Sequence, residues 1–345
     1  MRPEDLDYTL PAEQIAQEPA ARRGDAKMLV LRGDASPVHS QARELRSHLP
    51  ADALVVVNDS RVVPARLYLD RERDGRRFEA LVCDPAPGLR AGHAFRAWVR
   101  GAKRLKEGER LRAGDFTCRF VGADPIDPRA RRFEVEGGEL LAVLEAQGEI
   151  PLPPYIRREG APGAGDRERY QTTYARDPGS VAAPTAGLHW EPELLAALDL
   201  APITLHVGPG TFLPMDVDDV RDHRVGAERY TIPEASAAKI RAAKAAGRPV
   251  VAVGTTATRA LESVAAAHDG AIVPGSGSTD LVITPGHDFR AVDLLVTNFH
   301  LPRSSLLMLV SAFGGHARVM AAYREAVAAG YRFYSYGDCM LLDRG

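Results

Sequence analysis

From Arg61 to about Ile150 the chain shows almost no helical periodicity, and that gap limits the folds open to it. Short runs of strand character, Arg77–Cys83, Ala94–Val99 and Arg131–Val135, are separated by Gly, Pro and Asp turns, and a helical period returns only at Glu139–Gln147. Regularly spaced short strands predict a small β-barrel or sandwich. The flanks read differently. Before the gap, Lys27–Arg32 (KMLVLR) and Leu54–Asn58 (LVVVN) are apolar runs of the length expected for buried strands. After residue 190, strand and helix patterns alternate. Helices are expected at Pro233–Gly247, Thr258–His268, Ser304–Phe313 and Ala317–Ala329, with strands at Arg248–Gly254, Leu281–Thr284, Asp293–Asn298 and Tyr331–Tyr336. Such alternation argues for an α/β layer structure, and 345 residues fit two domains better than one. The expected organisation is therefore a discontinuous α/β (mixed α+β) catalytic domain, residues 1–60 and 151–345, interrupted by a small β-module at 61–150.

That module is also the basic part of the chain. Residues 61–134 carry 18 Lys and Arg against 11 Asp and Glu, whereas the whole chain has a net charge of −2. Two readings are open: a solvated Arg-rich face, or a surface that meets a phosphate backbone. Cys83, Cys118 and Cys339 have no paired spacing, so neither a disulfide framework nor a zinc site is expected. The opening MRPEDLDYTL has no apolar run, and no segment approaches the roughly 18 apolar residues of a membrane span. A soluble, cytoplasmic protein without a membrane partner is the expectation.

Several familiar motifs are missing. There is no GxGxxG after a strand, no GxxxxGK[ST], no HExxH and no GxSxG, which weakens dinucleotide, P-loop, zincin and α/β-hydrolase readings. What remains is a set of small-residue loops at strand ends. They are Asn58-Asp59-Ser60-Arg61, Pro184–His189, Leu205–Phe212, Gly254-Thr255-Thr256 and Thr297-Asn298-Phe299-His300. Strand ends are where open α/β sheets hold ligands. A single His in such a loop is most simply a hydrogen-bonded structural group, but His189, His206 and His300 in three similar loops favour a site. Imidazole has the pKa suited to proton transfer near neutrality. Gly254-Thr255-Thr256 lies between strand and helix, where it either binds an anion or merely caps the helix.

Taken together, the strings VVNDSRVVPARL (Val56–Leu67), GEIPLPPYI (Gly148–Ile156), DRERYQTTYARDPGSVAAPTAGLHW (Asp166–Trp190), TLHVGPGTF (Thr204–Phe212), VGTTATRALES (Val253–Ser263), TNFHLPRSSLLMLVSAFGG (Thr297–Gly315) and YRFYSYGDCM (Tyr331–Met340) resemble the S-adenosylmethionine:tRNA ribosyltransferase-isomerase family of queuosine biosynthesis. The resemblance runs in order over nearly the whole length. It implies an α/β domain interrupted by an inserted β-barrel domain. It also implies transfer and isomerisation of the ribosyl part of S-adenosylmethionine onto 7-aminomethyl-7-deazaguanine at the wobble position of a tRNA anticodon loop. The products would be epoxyqueuosine-tRNA, adenine and methionine. S-adenosylmethionine is then a consumed co-substrate, and no cofactor or metal is expected.

The sulfonium acidifies the C5′ protons, so a base must start the elimination of adenine, and a proton donor must follow. His189, His206, His300 and Glu228 are the catalytic candidates. Asn58, Arg61, Thr185, Gly187, Gly208, Gly210, Thr211, Thr255, Thr256 and Asn298 are the candidates for holding substrate. The chain departs from the family pattern at Gly226, where a second His is usual, at Trp190 in place of Phe, and at Thr284 before Pro285-Gly286 in place of Tyr. Two rival classes stay open: an RNA-binding module without catalysis, and a methyltransferase, against which the absent Gly-rich nucleotide loop counts.

Overall fold

A computed structural model of the chain describes residues 1–212 and 215–345. In chain order its strands are β1 (Lys27–Leu31), β2 (Val38–Gln41), β3 (Leu54–Asn58), β4 (Ser60–Val62), β5 (Arg66–Arg71), β6 (Arg77–Val82), β7 (Ala94–Val99), β8 (Arg110–Ala113), β9 (Phe116–Ala123), β10 (Ala130–Gly137), β11 (Asp177–Ser180), β12 (Asp199–Leu205), β13 (Glu228–Ile232), β14 (Val250–Val253), β15 (Gly275–Thr279), β16 (Leu294–Asn298) and β17 (Cys339–Asp343). The helices are α1 (Leu45–His48), α2 (Leu140–Gln147), α3 (Ala164–Arg169), α4 (Pro192–Ala196), α5 (Glu234–Ala245), α6 (Gly254–Ala267), α7 (Ser305–Gly314) and α8 (His316–Ala328).

Nine strands form one sheet in the order β15-β13-β12-β3-β14-β16-β17-β1-β2. Its centre, β12-β3-β14-β16, is parallel. β3 is buried at every residue, as a parallel strand covered on both faces must be. Side chains alternate across a strand, and the alternation sorts two cores. Leu54 and Val56 join Ala201, Ile203, Val250, Ala252 and Leu295 under α5, α6, α7 and α8. Val55 and Val57 join Val251, Val253 and Val296 beneath Trp190 and Leu194 on the other face. Each of the Val, Leu and Ile side chains among them contributes about 1.5–3 kcal/mol by burial. The sheet draws β1 to β3 from before residue 61 and its remaining strands from after residue 198.

Strands β5 to β10 form a second, antiparallel sheet that closes on itself in the order β10-β7-β6-β5-β8-β9, with β9 against β10 completing the ring. Alternate residues fill its interior, among them Leu67, Leu69, Phe78, Phe95, Phe133 and Val135, and α2 adds Leu140, Val143 and Leu144. Where the chain leaves and re-enters the main sheet, β4 and β11 pair in parallel. Four of the module's arginines are paired within the ring, as Arg66–Glu79, Arg77–Asp70, Arg71–Glu109 and Arg119–Glu134, by acidic residues already counted against the basic excess. Among the described residues Lys103, Arg104 and Lys106 form no ion pair with a carboxylate.

Two expected strands are not strands. Leu281–Thr284 is an irregular segment, and Tyr331–Tyr336 is a set of turns in which Tyr334 takes φ 75°. The aromatic run mimics β propensity, but its rings are core and pocket pieces, and the last strand lies three residues further on as β17. The three cysteines are free. Among the described residues no single helix is long and apolar enough to cross a membrane. The bent pair α7 and α8 is apolar because its inner faces lie in the core.

A candidate active site beyond the parallel strands

The C-terminal ends of β12, β14 and β16 open into a cleft with both polar and apolar lining, at the strand ends where open α/β sheets hold ligands. Of the expected site residues, Thr185, Thr211, Thr255, Thr256, Asn298 and His300 line it. Tyr155, Tyr170, Tyr334 and Arg259 line it as well, and none of these four was singled out from the sequence. Burial raises the pKa of all three tyrosines, so their hydroxyls stay protonated. Arg259 had a legible signal: it lies three residues beyond Thr256, the spacing that puts two side chains on one helix face.

His300 follows β16 and is buried, with Nε2 2.9 Å from Thr297 Oγ1. The Thr297 hydroxyl is directed at the Asn298 carbonyl at 3.4 Å. That assignment makes Nε2–H the donor to Thr297 and leaves the Nδ1 lone pair free. Burial lowers the His300 pKa to about 3, so the ring is neutral near pH 7.

The other candidates sit behind the cleft wall. His189 Nε2 donates to Asn298 Oδ1 at 3.1 Å, while Asn298 Nδ2 donates to the carbonyls of Tyr334 (2.8 Å) and Ser335 (3.2 Å). The two carbonyl acceptors fix the amide orientation, and with it the His189 tautomer. Burial lowers His189 to a pKa of about 4. His206 packs on Gly179, and burial, with Arg229 nearby, lowers it to about 4; its Nδ1 is buried without a partner among the described residues. Glu228 is buried with both oxygens engaged, Oε1 by the Gly208 N–H at 2.9 Å and Oε2 by Arg259 Nη1.

Asn58 and Arg61 serve the strand ends. The Asn58 amide bonds Leu205 in both directions at 2.9 Å, tying β3 to β12, and Arg61 pairs with Glu145 of α2 at 2.7 Å. Gly187 lets the chain pass Tyr174: a Cβ there would lie 1.9 Å from the Tyr174 hydroxyl. Gly210 has open space around it, as does Gly226, the departure from the family pattern. Trp190 is fully buried beside Tyr174.

At the α6 terminus, capping by a threonine side chain is not seen among the described residues. Its N-cap is Val253, which supplies no side-chain cap, and Thr258 Oγ1 turns inward to the Gly254 carbonyl at 3.1 Å. The first-turn residues Gly254, Thr255 and Thr256 thus line the cleft without a capping side chain.

Residues 3–342 match the family described as Queuosine biosynthesis protein. The chain belongs to that family. Similar members include the S-adenosylmethionine:tRNA ribosyltransferase-isomerase of Anaeromyxobacter dehalogenans (strain 2CP-C), 49% identical with 100% of both chains covered. That of Moorella thermoacetica is 46% identical, covering 99% of this chain and 100% of its own. The crystal structure of the S-adenosylmethionine tRNA ribosyltransferase from Thermotoga maritima is similar at 32% identity, with a TM-score of 0.53 over 98% of this chain and 99% of that one.

Proposed function

We propose that this queuosine biosynthesis protein transfers and isomerises the ribosyl moiety of S-adenosylmethionine onto tRNA. The finer reading is that the acceptor is 7-aminomethyl-7-deazaguanine at the wobble position and that adenine and methionine leave. The observation that carries the proposal is the end-to-end similarity, at 49% identity, to a ribosyltransferase-isomerase. The cleft supports it. It pairs one neutral imidazole with three tyrosine rings, and aromatic faces attract a cation such as the sulfonium or stack on a base. His300 Nδ1 is assigned the C5′ proton. His189 positions Asn298, and through it the Tyr334 backbone; Glu228 positions Arg259. His206 lies outside the cleft lining, and its role is to hold the 177–180 segment.

Residues 61–150 form, on this reading, an inserted β-barrel domain whose unpaired Lys103, Arg104 and Lys106 meet the tRNA backbone. The wobble base sits in a single-stranded loop, where it can be turned out and read on its edges. S-adenosylmethionine acts as a consumed co-substrate, with no metal in the chemistry; chelator-treated enzyme is expected to keep its rate. The protein acts in the cytoplasm, with tRNA.

The test is to mix protein, S-adenosylmethionine and tRNA bearing the aminomethyl-deazaguanine. Adenine and methionine released together, with a matching mass gain on the tRNA, support ribosyl transfer. S-adenosylhomocysteine would mean a methyltransferase instead, and tRNA binding without turnover would mean a non-catalytic binding module.

A further inference from the structure

We propose that Arg259 and the uncapped first turn of α6 hold the α-carboxylate of S-adenosylmethionine. The inference rests on the ribosyl-transfer reading and goes on to say which end of the co-substrate this part of the cleft receives.

Arg259 is 7% exposed, and its guanidinium is fixed on two sides. Nε donates to the Leu281 carbonyl at 2.9 Å, and Nη1 pairs with Glu228, itself anchored by the Gly208 N–H. Nη2 is buried and has no partner among the described residues. A buried cationic donor left unsatisfied is costly, so such a group calls for a ligand acceptor. Thr256 Oγ1, one turn earlier on the same helix, is likewise buried without a partner.

These groups converge on the start of a helix of 14 residues, where N–H groups and the helix dipole favour an anion. Arg259 is also the only formally charged side chain lining the cleft among the described residues, since His300 is neutral near pH 7. The unpartnered Nη2 suits a carboxylate oxygen, the acceptor with which a guanidinium N–H makes a charge-assisted hydrogen bond. A backbone phosphate of tRNA is flanked by two riboses and would have to bring both up to a guanidinium that is more than nine-tenths buried. A carboxylate at the end of an aliphatic chain enters alone. β14 and β16 are neighbours in the sheet, so a ligand held at α6 shares its crevice with His300.

Two comparisons test this. Wild-type protein is assayed for adenine release with S-adenosylmethionine and with its decarboxylated analogue. The expected result is a loss of kcat/KM of about 10- to 100-fold for the analogue, the range for a hydrogen bond to a charged group. The second uses Arg259→Lys and the double variant Arg259→Met with Glu228→Gln, which leaves no buried charge unpaired. Both are expected to raise the KM for S-adenosylmethionine by a similar factor, to lose little more with the analogue, and to keep the KM for tRNA. Equal use of both co-substrates by the wild type overturns the inference, as does a KM increase confined to tRNA, which would place a phosphate at Arg259. If neither variant folds, as circular dichroism would show, the wild-type protein is titrated with methionine and with methioninol by thermal shift. Stabilisation by methionine alone is the expected result, and equal shifts overturn the inference. Absence of any adenine release by the wild type refutes ribosyl transfer itself and is told apart by that control.

Discussion

Replacing His300 by Ala removes the one imidazole among the described residues that both lines the cleft and keeps a free ring nitrogen. A positioned base is worth on the order of 10²–10⁴ in rate. His300→Ala should therefore slow single-turnover adenine release by that factor with an unchanged circular dichroism spectrum. A loss below tenfold would remove His300 from the chemistry. Gly187 poses a different question, because a Cβ there meets the Tyr174 hydroxyl at 1.9 Å. Gly187→Ala is expected to destabilise the protein by about 1–3 kcal/mol through overpacking. Adding Tyr174→Phe should restore part of the loss in thermal unfolding; no recovery would mean that the clash lies elsewhere. Gly226 contrasts with it, since a Cβ added there would meet no atom within 4 Å and Gly226 does not line the cleft.

Elements differ in how well the chain announces them. β1, β3, β14 and β16 were legible because all their residues but Lys27 are buried and each holds a run of three or four consecutive apolar residues, mostly Val and Leu. α5 was legible from its Pro start and its Gly after the end. β13 and β15 were not, because ERYTI and GSGST carry no apolar run and become strands by pairing with each other and with β12. The aromatic run Tyr331–Tyr336 misleads for the opposite reason: its side chains are wanted as wall and core, and Gly337 packs so closely on Phe333 that the chain must turn. The ring of β5 to β10 carries its prediction in its charges. Reversing Lys103, Arg104 and Lys106 to Glu should weaken tRNA binding and flatten the salt dependence by about 0.9 per lost phosphate contact. Unchanged affinity and slope would place the RNA surface elsewhere.

For the molecule as a whole, the buried histidines set an acid limit. His189 and His206 are lowered from 6.5 to about 4, and His300 to about 3, in each case chiefly by burial. The unfolded chain then binds more protons than the folded one as pH falls below about 6.5, so stability is full above that value and declines toward pH 4. Denaturant midpoints should fall steadily over this window, and His206→Gln should make the decline shallower. A flat profile would mean that these rings are solvated in solution.

Read linearly, the chain already gave away its central strands, its family resemblance and the loops that carry polar groups, because apolar period, turn residues and motif strings are local properties. It placed Thr185, Thr211, Thr255, Thr256, Asn298 and His300 in loops that do meet. Which of the histidines faces the cleft was decided only by tertiary structure. His189, His206 and His300 look alike as strand-end residues, and they are told apart by what packs around them: an Asn298 carbonyl oxygen, the Gly179 backbone, a Thr297 hydroxyl. Arg259 became a site residue only when Glu228, 31 residues away in the chain, and the Leu281 carbonyl, 22 residues away, fixed two sides of its guanidinium and left Nη2 over. Burial and partner count depend on distant segments, and that is the information a linear pattern lacks.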